Sequence, residues 1–240
     1  MKNVPTLAKY ESHDANATDY GRPKMRRKTI VLLVIIFLAG LIVWGCSTQT
    51  AEITATTTTT TTSASTTTTA GEGFFPHADG NSWRYTYSDG SSMIMTFEGM
   101  TLINSVTVQK LKSVFDYLSG VYTGESYYKV DATGVYAYSP STTEVAPFLL
   151  FPLEIGKKWI QQTSVSPYGD YVVTYEASIV SKESSTVPAG TFDCYKMTVK
   201  SIMNGVVNTT LNYWFGNNAG IIKFNTSSTT VEGQLSWKNF

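Results

Sequence analysis

Three stretches of the chain alternate apolar and polar residues one for one. Trp83, Tyr85 and Tyr87 alternate with Arg84, Thr86 and Ser88; Tyr171, Val173, Tyr175, Ala177 and Ile179 do so with mostly polar partners; Val207, Thr209, Leu211, Tyr213 and Phe215 repeat the pattern. A period of two sends successive side chains to opposite faces of an extended backbone, so each stretch predicts a strand with one face toward a core. Asp89-Gly90 and Asn204-Gly205 lie between such stretches. These dipeptides accept the positive φ angles of tight hairpin turns, which makes the neighbouring strands antiparallel. No stretch of the carboxy-terminal region sustains a 3.6-residue apolar period. The pattern predicts an all-β domain, an antiparallel curved sheet or open barrel with few short helices.

Two spacings repeat within it. Phe75-Pro76-x-x-x-Gly80-x-x-Trp83 is matched by Phe151-Pro152-x-x-x-Gly156-x-x-Trp159, and Tyr127-Tyr128 with Gly134 is matched by Tyr213-Trp214 with Gly220. In the first motif proline stops one element, glycine permits a turn, and tryptophan anchors the next strand. From Trp83 to Gly134 is 51 residues and from Trp159 to Gly220 is 61, so an insertion of about ten separates two otherwise similar β units, 72–148 and 149–240.

The amino-terminal third obeys other rules. Thr29 to Gly45 is an uncharged apolar run, preceded by Lys24, Arg26, Arg27 and Lys28 and followed by Cys46 and Ser47. Positive charge ahead of such a run holds that end in the cytoplasm and places the downstream chain outside it. Val43-Trp44-Gly45-Cys46 resembles a bacterial lipobox, in which the cysteine is acylated and becomes the mature amino terminus; Trp44 stands where a small residue is usual. The alternative is a single transmembrane helix, for which 17 residues give about 26 Å against a hydrocarbon core of roughly 30 Å. Cys46, directly after Gly45 and directly before polar sequence, favours lipid attachment. Met25 opens a compact signal sequence, and the polar residues before it suggest that translation starts there. The chain thus divides into 1–28, an n-region or cytoplasmic tail; 29–46, a signal sequence or anchor; 47–71, a threonine-rich tether; and 72–240, the β domain. The tether has nothing to bury in a core, could span ~90 Å fully extended, and offers clustered threonines to O-glycosylation.

Charge and composition narrow the function. Residues 72–240 carry fourteen acids and eleven bases, whereas the segment before Thr29 carries seven bases and three acids. A domain without a basic excess lacks the electrostatic footprint of nucleic-acid binding. Cys194 is the only cysteine of the domain and His77 its only histidine, so neither an intradomain disulfide nor a zinc spacing is available, and a catalytic triad would have to use His77. No phosphate loop, dinucleotide fingerprint or calcium loop occurs, and no cofactor or metal is expected. The carboxylates Glu98, Asp116, Asp131, Glu176 and Asp193 are scattered; a facing pair could serve a hydrolase. The aromatic load is the stronger clue. Trp83, Tyr85, Tyr128, Tyr136 and Trp214 are candidate ligand-binding residues; a curved sheet with aromatics on its concave side could hold an apolar or glycan ligand, while ordinary β-core packing uses the same rings.

Phe151-Pro152-Leu153-x-x-Gly156-x-x-Trp159, Val187-Pro188-Ala189-Gly190-Thr191-Phe192-x-Cys194 and Tyr213-Trp214-Phe215-x-x-x-x-Gly220-Ile221-Ile222-Lys223 resemble an uncharacterised group of bacterial secreted proteins and lipoproteins. The first unit has no Pro-Ala-Gly-Thr-Phe counterpart and carries His77 where the second has Leu153. Domains of that group are similar in pattern to the LolA-like lipoprotein-carrier fold. The resemblance implies a membrane-anchored extracytoplasmic lipoprotein that binds a hydrophobic molecule, an envelope component or a protein partner; an envelope hydrolase is the alternative. Cys46→Ala is expected to abolish incorporation of radiolabelled lipid and leave the precursor at full length. A transmembrane anchor would instead leave wild type and variant alike in size and both unlabelled.

Overall fold

The structure, a computed structural model, describes residues 71–117, 120–140, 145–165 and 171–240. Cys46, the apolar run and the threonine-rich tether lie outside the described residues, and among those described no helix is long and apolar enough to cross a membrane.

The described residues form twelve strands: β1 (Ser82–Tyr87), β2 (Ser92–Ile103), β3 (Val106–Tyr117), β4 (Gly120–Asp131), β5 (Gly134–Tyr138), β6 (Val145–Leu150), β7 (Lys158–Val165), β8 (Val172–Val187), β9 (Gly190–Met203), β10 (Val206–Gly216), β11 (Gly220–Thr226) and β12 (Glu232–Lys238). The helical content among the described residues is one 3₁₀ turn, Glu72–Phe74. Strands pair antiparallel in the order β6-β5-β4-β3-β2-β1-β12-β11-β10-β9-β8-β7, so two six-strand meanders meet through β1 and β12. The boundary expected at 148/149 falls inside β6, because the Phe-Pro motif of the second unit starts only after that strand ends.

The dipeptide turns form as their chemistry requires. Gly90 has φ 85°, and Asn204 and Gly205 have φ 50° and 81° between β9 and β10, the left-handed pair of a two-residue hairpin. The matched motif residues also take matching places. Trp83 and Trp159 are each the second residue of the first strand of a meander, and Gly134 and Gly220 each open the fifth. Length differs between the units mainly in the second hairpin: β8 and β9 have sixteen and fourteen residues against twelve each in β2 and β3.

The sheet curls into a nearly closed barrel. Its last gap lies between β6 and β7, which share no backbone ladder. Pro147 in β6 has no N–H to offer, and the seam is instead bridged by side chains of β7. Trp159 Nε1 donates to Pro147 O at 3.0 Å and Gln161 Nε2 to Phe148 O at 2.9 Å.

Inside, rings pack edge to face. Phe148 of β6 reaches across to Tyr213 and Phe215 of β10, at 6.0 and 6.1 Å between ring centroids, and Tyr85 meets Phe224 at 5.4 Å. Gly233 makes room for Phe224: a Cβ there would lie 2.3 Å from the ring. The amino-terminal segment closes one end. Phe75 inserts among Phe97, Tyr128 and Phe148, Phe74 packs on Tyr195, and Gly73 O accepts from Asn218 N at 2.7 Å. Edge-to-face pairs gain about 0.5–1.5 kcal/mol beyond their burial, so this network both fills the barrel and fixes its shape.

Trp83→Ala and Trp159→Ala are each expected to destabilise the full chain by roughly 3–5 kcal/mol in chemical unfolding, since both rings are buried and both indole N–H groups are bonded. A loss under about 1 kcal/mol at either position would break their equivalence as anchors.

Candidate functional site

Of the five aromatic candidates, three point into the barrel. The ladder between β11 and β12 runs only from Lys223 to Asn225. Beyond it, the carbonyls of Ala219, in the turn before β11, and of Ile221, in β11, receive interior side chains of β1: Trp83 Nε1 donates to Ala219 O and Tyr85 Oη to Ile221 O, both at 2.8 Å. Burial pushes the Tyr85 hydroxyl far above the usual tyrosine range, so it stays protonated and keeps donating. Tyr128 is enclosed by Phe75 and Phe148, and burial raises its hydroxyl to about 12. Tyr136 lies on the outer side, half-buried, opposite Lys129, with its hydroxyl 2.7 Å from Thr133 Oγ1.

Trp214 is placed differently. Its neighbours Tyr213 and Phe215 both face Phe148 inside, so alternation sends the indole outward. On the outer face it lies opposite Lys196 of β9 and Lys223 of β11, whose ammonium groups stand over its ring at 4.9 and 4.4 Å. The lysine stems cover it, leaving 5 % of its surface exposed. Trp214 Nε1 donates to Glu183 Oε1 at 2.6 Å, and Ser181 Oγ donates to Glu183 Oε2 at 2.9 Å. These two hydrogen bonds, with the positive charge of Lys196 and Lys223, hold the Glu183 carboxyl below the usual glutamate range.

Beside this cluster a polar ladder crosses four strands. Thr198 Oγ1 donates to Asn212 Oδ1, Asn212 Nδ2 to Asn225 Oδ1, Asn225 Nδ2 to Glu232 Oε2, and Gln234 Nε2 to Glu232 Oε1, at 2.7 to 3.1 Å. Trp237, on β12 opposite Arg84, is the most exposed tryptophan among the described residues at 50 %. Glu183, Lys196 and Lys223 were not distinguishable as site residues in the sequence, because cross-strand register brings them to Trp214 and no local motif marks it.

The remaining candidate chemistry is dispersed. His77 Nδ1 lies 3.0 Å from Phe75 O at the closed end. Cys194 is buried on β9, its thiol 3.4 Å from Phe192 O and pushed by burial to about 11, too high to act as a nucleophile at neutral pH. Glu98 and Glu125 share Lys110, at 3.2 and 2.7 Å, and Lys112 adds a contact to Glu98 at 3.4 Å; both carboxyls are held low, chiefly by the bond from Lys110. Asp131 caps the β4–β5 turn by accepting from Thr133 N and Oγ1. Asp116, Glu176 and Asp193 stand on three different strands, β3, β8 and β9. Among the described residues no group of three His, Cys, Asp or Glu side chains could hold a metal ion.

No family model matches the chain, and no curated protein matches it. Solved structures do resemble it. A candidate lipoprotein from Parabacteroides distasonis is 14% identical with a TM-score of 0.48, over 69% of this chain and 98% of that one. A candidate exported protein of YmcC-like fold from Bacteroides fragilis is 12% identical with a TM-score of 0.48, over 70% of this chain and 99% of that one.

The depressed Glu183 carboxyl has a pH consequence of fixed sign. A lowered folded-state pKa contributes stability above the ordinary glutamate range, and that contribution disappears as pH falls through the lowered value. Tryptophan fluorescence of the folded chain is therefore expected to show a titration below the ordinary glutamate range that is absent from Glu183→Gln.

Proposed function

We propose that this chain is an extracytoplasmic lipoprotein, anchored through Cys46, which acts by binding an envelope component and not by catalysis. The observation that carries the reading is the outward placement of Trp214, since Trp83, Tyr85 and Tyr128 are committed to the interior. A barrel whose centre is filled by Phe75, Phe148, Tyr213 and Phe215 directs recognition to its outer surface. The strand face around Trp214 combines an aromatic ring, two cations and a row of amides, the donor set that recognises polar polymers. The hydrophobic ligand and the protein partner are the other occupants of this reading.

The hydrolase alternative needs a carboxylic acid held protonated near neutrality. Every carboxyl with a resolved shift among the described residues is shifted down instead: Glu98, Glu125, Asp131 and Glu183. The matched positions of Trp83 and Trp159, and of Gly134 and Gly220, support an internal duplication as the origin of the two meanders.

Incubated with purified envelope polysaccharide, the detergent-extracted full chain is expected to be retained without releasing reducing ends. Trp214→Ala should weaken retention by about tenfold, because the indole is the ring over which Lys196 and Lys223 are positioned and its loss leaves both cations unplaced. Release of reducing ends that Glu98→Gln or Glu125→Gln abolishes would replace the binding reading with hydrolysis.

A further inference from the structure

We infer that Lys196 and Lys223 make the outer face at Trp214 a site for an anionic polymer, whose phosphate or carboxylate groups seat between the two ammonium groups. This deepens the binding reading of that face and rests on it.

Three observations carry it. The two lysines are fixed on rigid strands either side of Trp214, in direct cross-strand register, so their charges converge on one ring instead of dispersing into solvent. Among the described residues neither ammonium group has a carboxylate within ion-pair distance, whereas Lys110 and Lys112 on the outer face of the first meander hold acids at 2.7 to 3.4 Å. Glu183, on whose carboxyl both lysine charges act, is committed through one oxygen to the indole N–H and through the other to Ser181. It anchors the ring edge and leaves the two cations uncapped. An anion lying between them relieves their mutual repulsion and satisfies both.

The occupant is a polymer because the face is an open sheet. Two half-exposed lysines hold a single small anion weakly in water, while repeated charges on one chain rebind at high effective concentration. Trp214 then lies directly beneath the bound charge and reports it.

The test uses the full chain in a neutral detergent, titrated separately with sodium polyphosphate, polygalacturonate and uncharged dextran while tryptophan fluorescence is followed. Wild type is expected to bind both polyanions and not dextran, with affinity falling steeply between about 50 and 200 mM salt. Lys196→Gln/Lys223→Gln should weaken both polyanions by about tenfold or more. The charge-preserving pair Lys196→Arg/Lys223→Arg should retain them, and so should Lys112→Gln on the other meander. Thermal melts of each variant show whether it is folded, and the arginine pair carries the test if the glutamine pair is not. Binding of only one polyanion narrows the occupant to that chemistry. Polyanion binding unchanged in the glutamine pair, or absent from wild type, overturns the inference. Wild type that binds dextran as well as the polyanions also overturns it, yet leaves Trp214 as a binding residue, so failure of the anion claim is separable from failure of the binding claim.

Discussion

Trp83 and Tyr85 belong to the strand through which the two ends of the β domain meet, and most of the architecture depends on what they do there. β1 pairs with β12 along one edge and with β2 along the other, so it is the joint between the meanders. Where β12 leaves the β11 ladder, the carbonyls of Ala219 and Ile221 would face an apolar interior. Unpaired buried carbonyls cost about 1–3 kcal/mol each. The indole and phenol of β1 supply the missing donors from inside, and the same rings pack on Phe97 and Phe224. One strand thus closes the sheet, satisfies its neighbour's backbone and seeds the aromatic core.

Sequence reasoning reached this fold through local signals. Alternation around Trp83–Tyr87, Val173–Ile179 and Val207–Phe215 marked strands because a period of two is a property of a single chain segment. Asn204-Gly205 marked a turn because positive φ is a property of those residues. The seam at β6–β7 was out of reach, since it depends on how far the sheet curls and which backbone groups Trp159 and Gln161 then meet. The site shows the same division. Alternation does separate Trp214 from Tyr213 and Phe215, and that signal was present in the sequence. Naming Trp214 together with Trp83 and Tyr85 as candidate binding residues did not use it. Its partners Lys196, Glu183 and Lys223 lie on three other strands, and only register between strands assembles them.

The two meanders share a plan but treat charge differently on their outer faces. In the first, Lys110 and Lys112 are neutralised by Glu98 and Glu125, an exposed network that contributes little to stability on its own. In the second, the acid of the neighbouring row, Glu232, is bonded to the amides of Asn225 and Gln234, and the lysines Lys196 and Lys223 turn to an indole instead. The two meanders therefore carry unlike outer surfaces, and the difference lies in side chains that the core does not constrain.

Phe75 sits only a few residues after the chain enters the domain at Gly71, and everything amino-terminal to it is covalently in series with that ring. Any tension along the preceding chain is applied first to the Phe74 and Phe75 contacts and to the bond between Asn218 and Gly73, before it reaches β1. A pull on that segment would load the ring packing at the closed end before the hydrogen-bonded ladders that define the barrel.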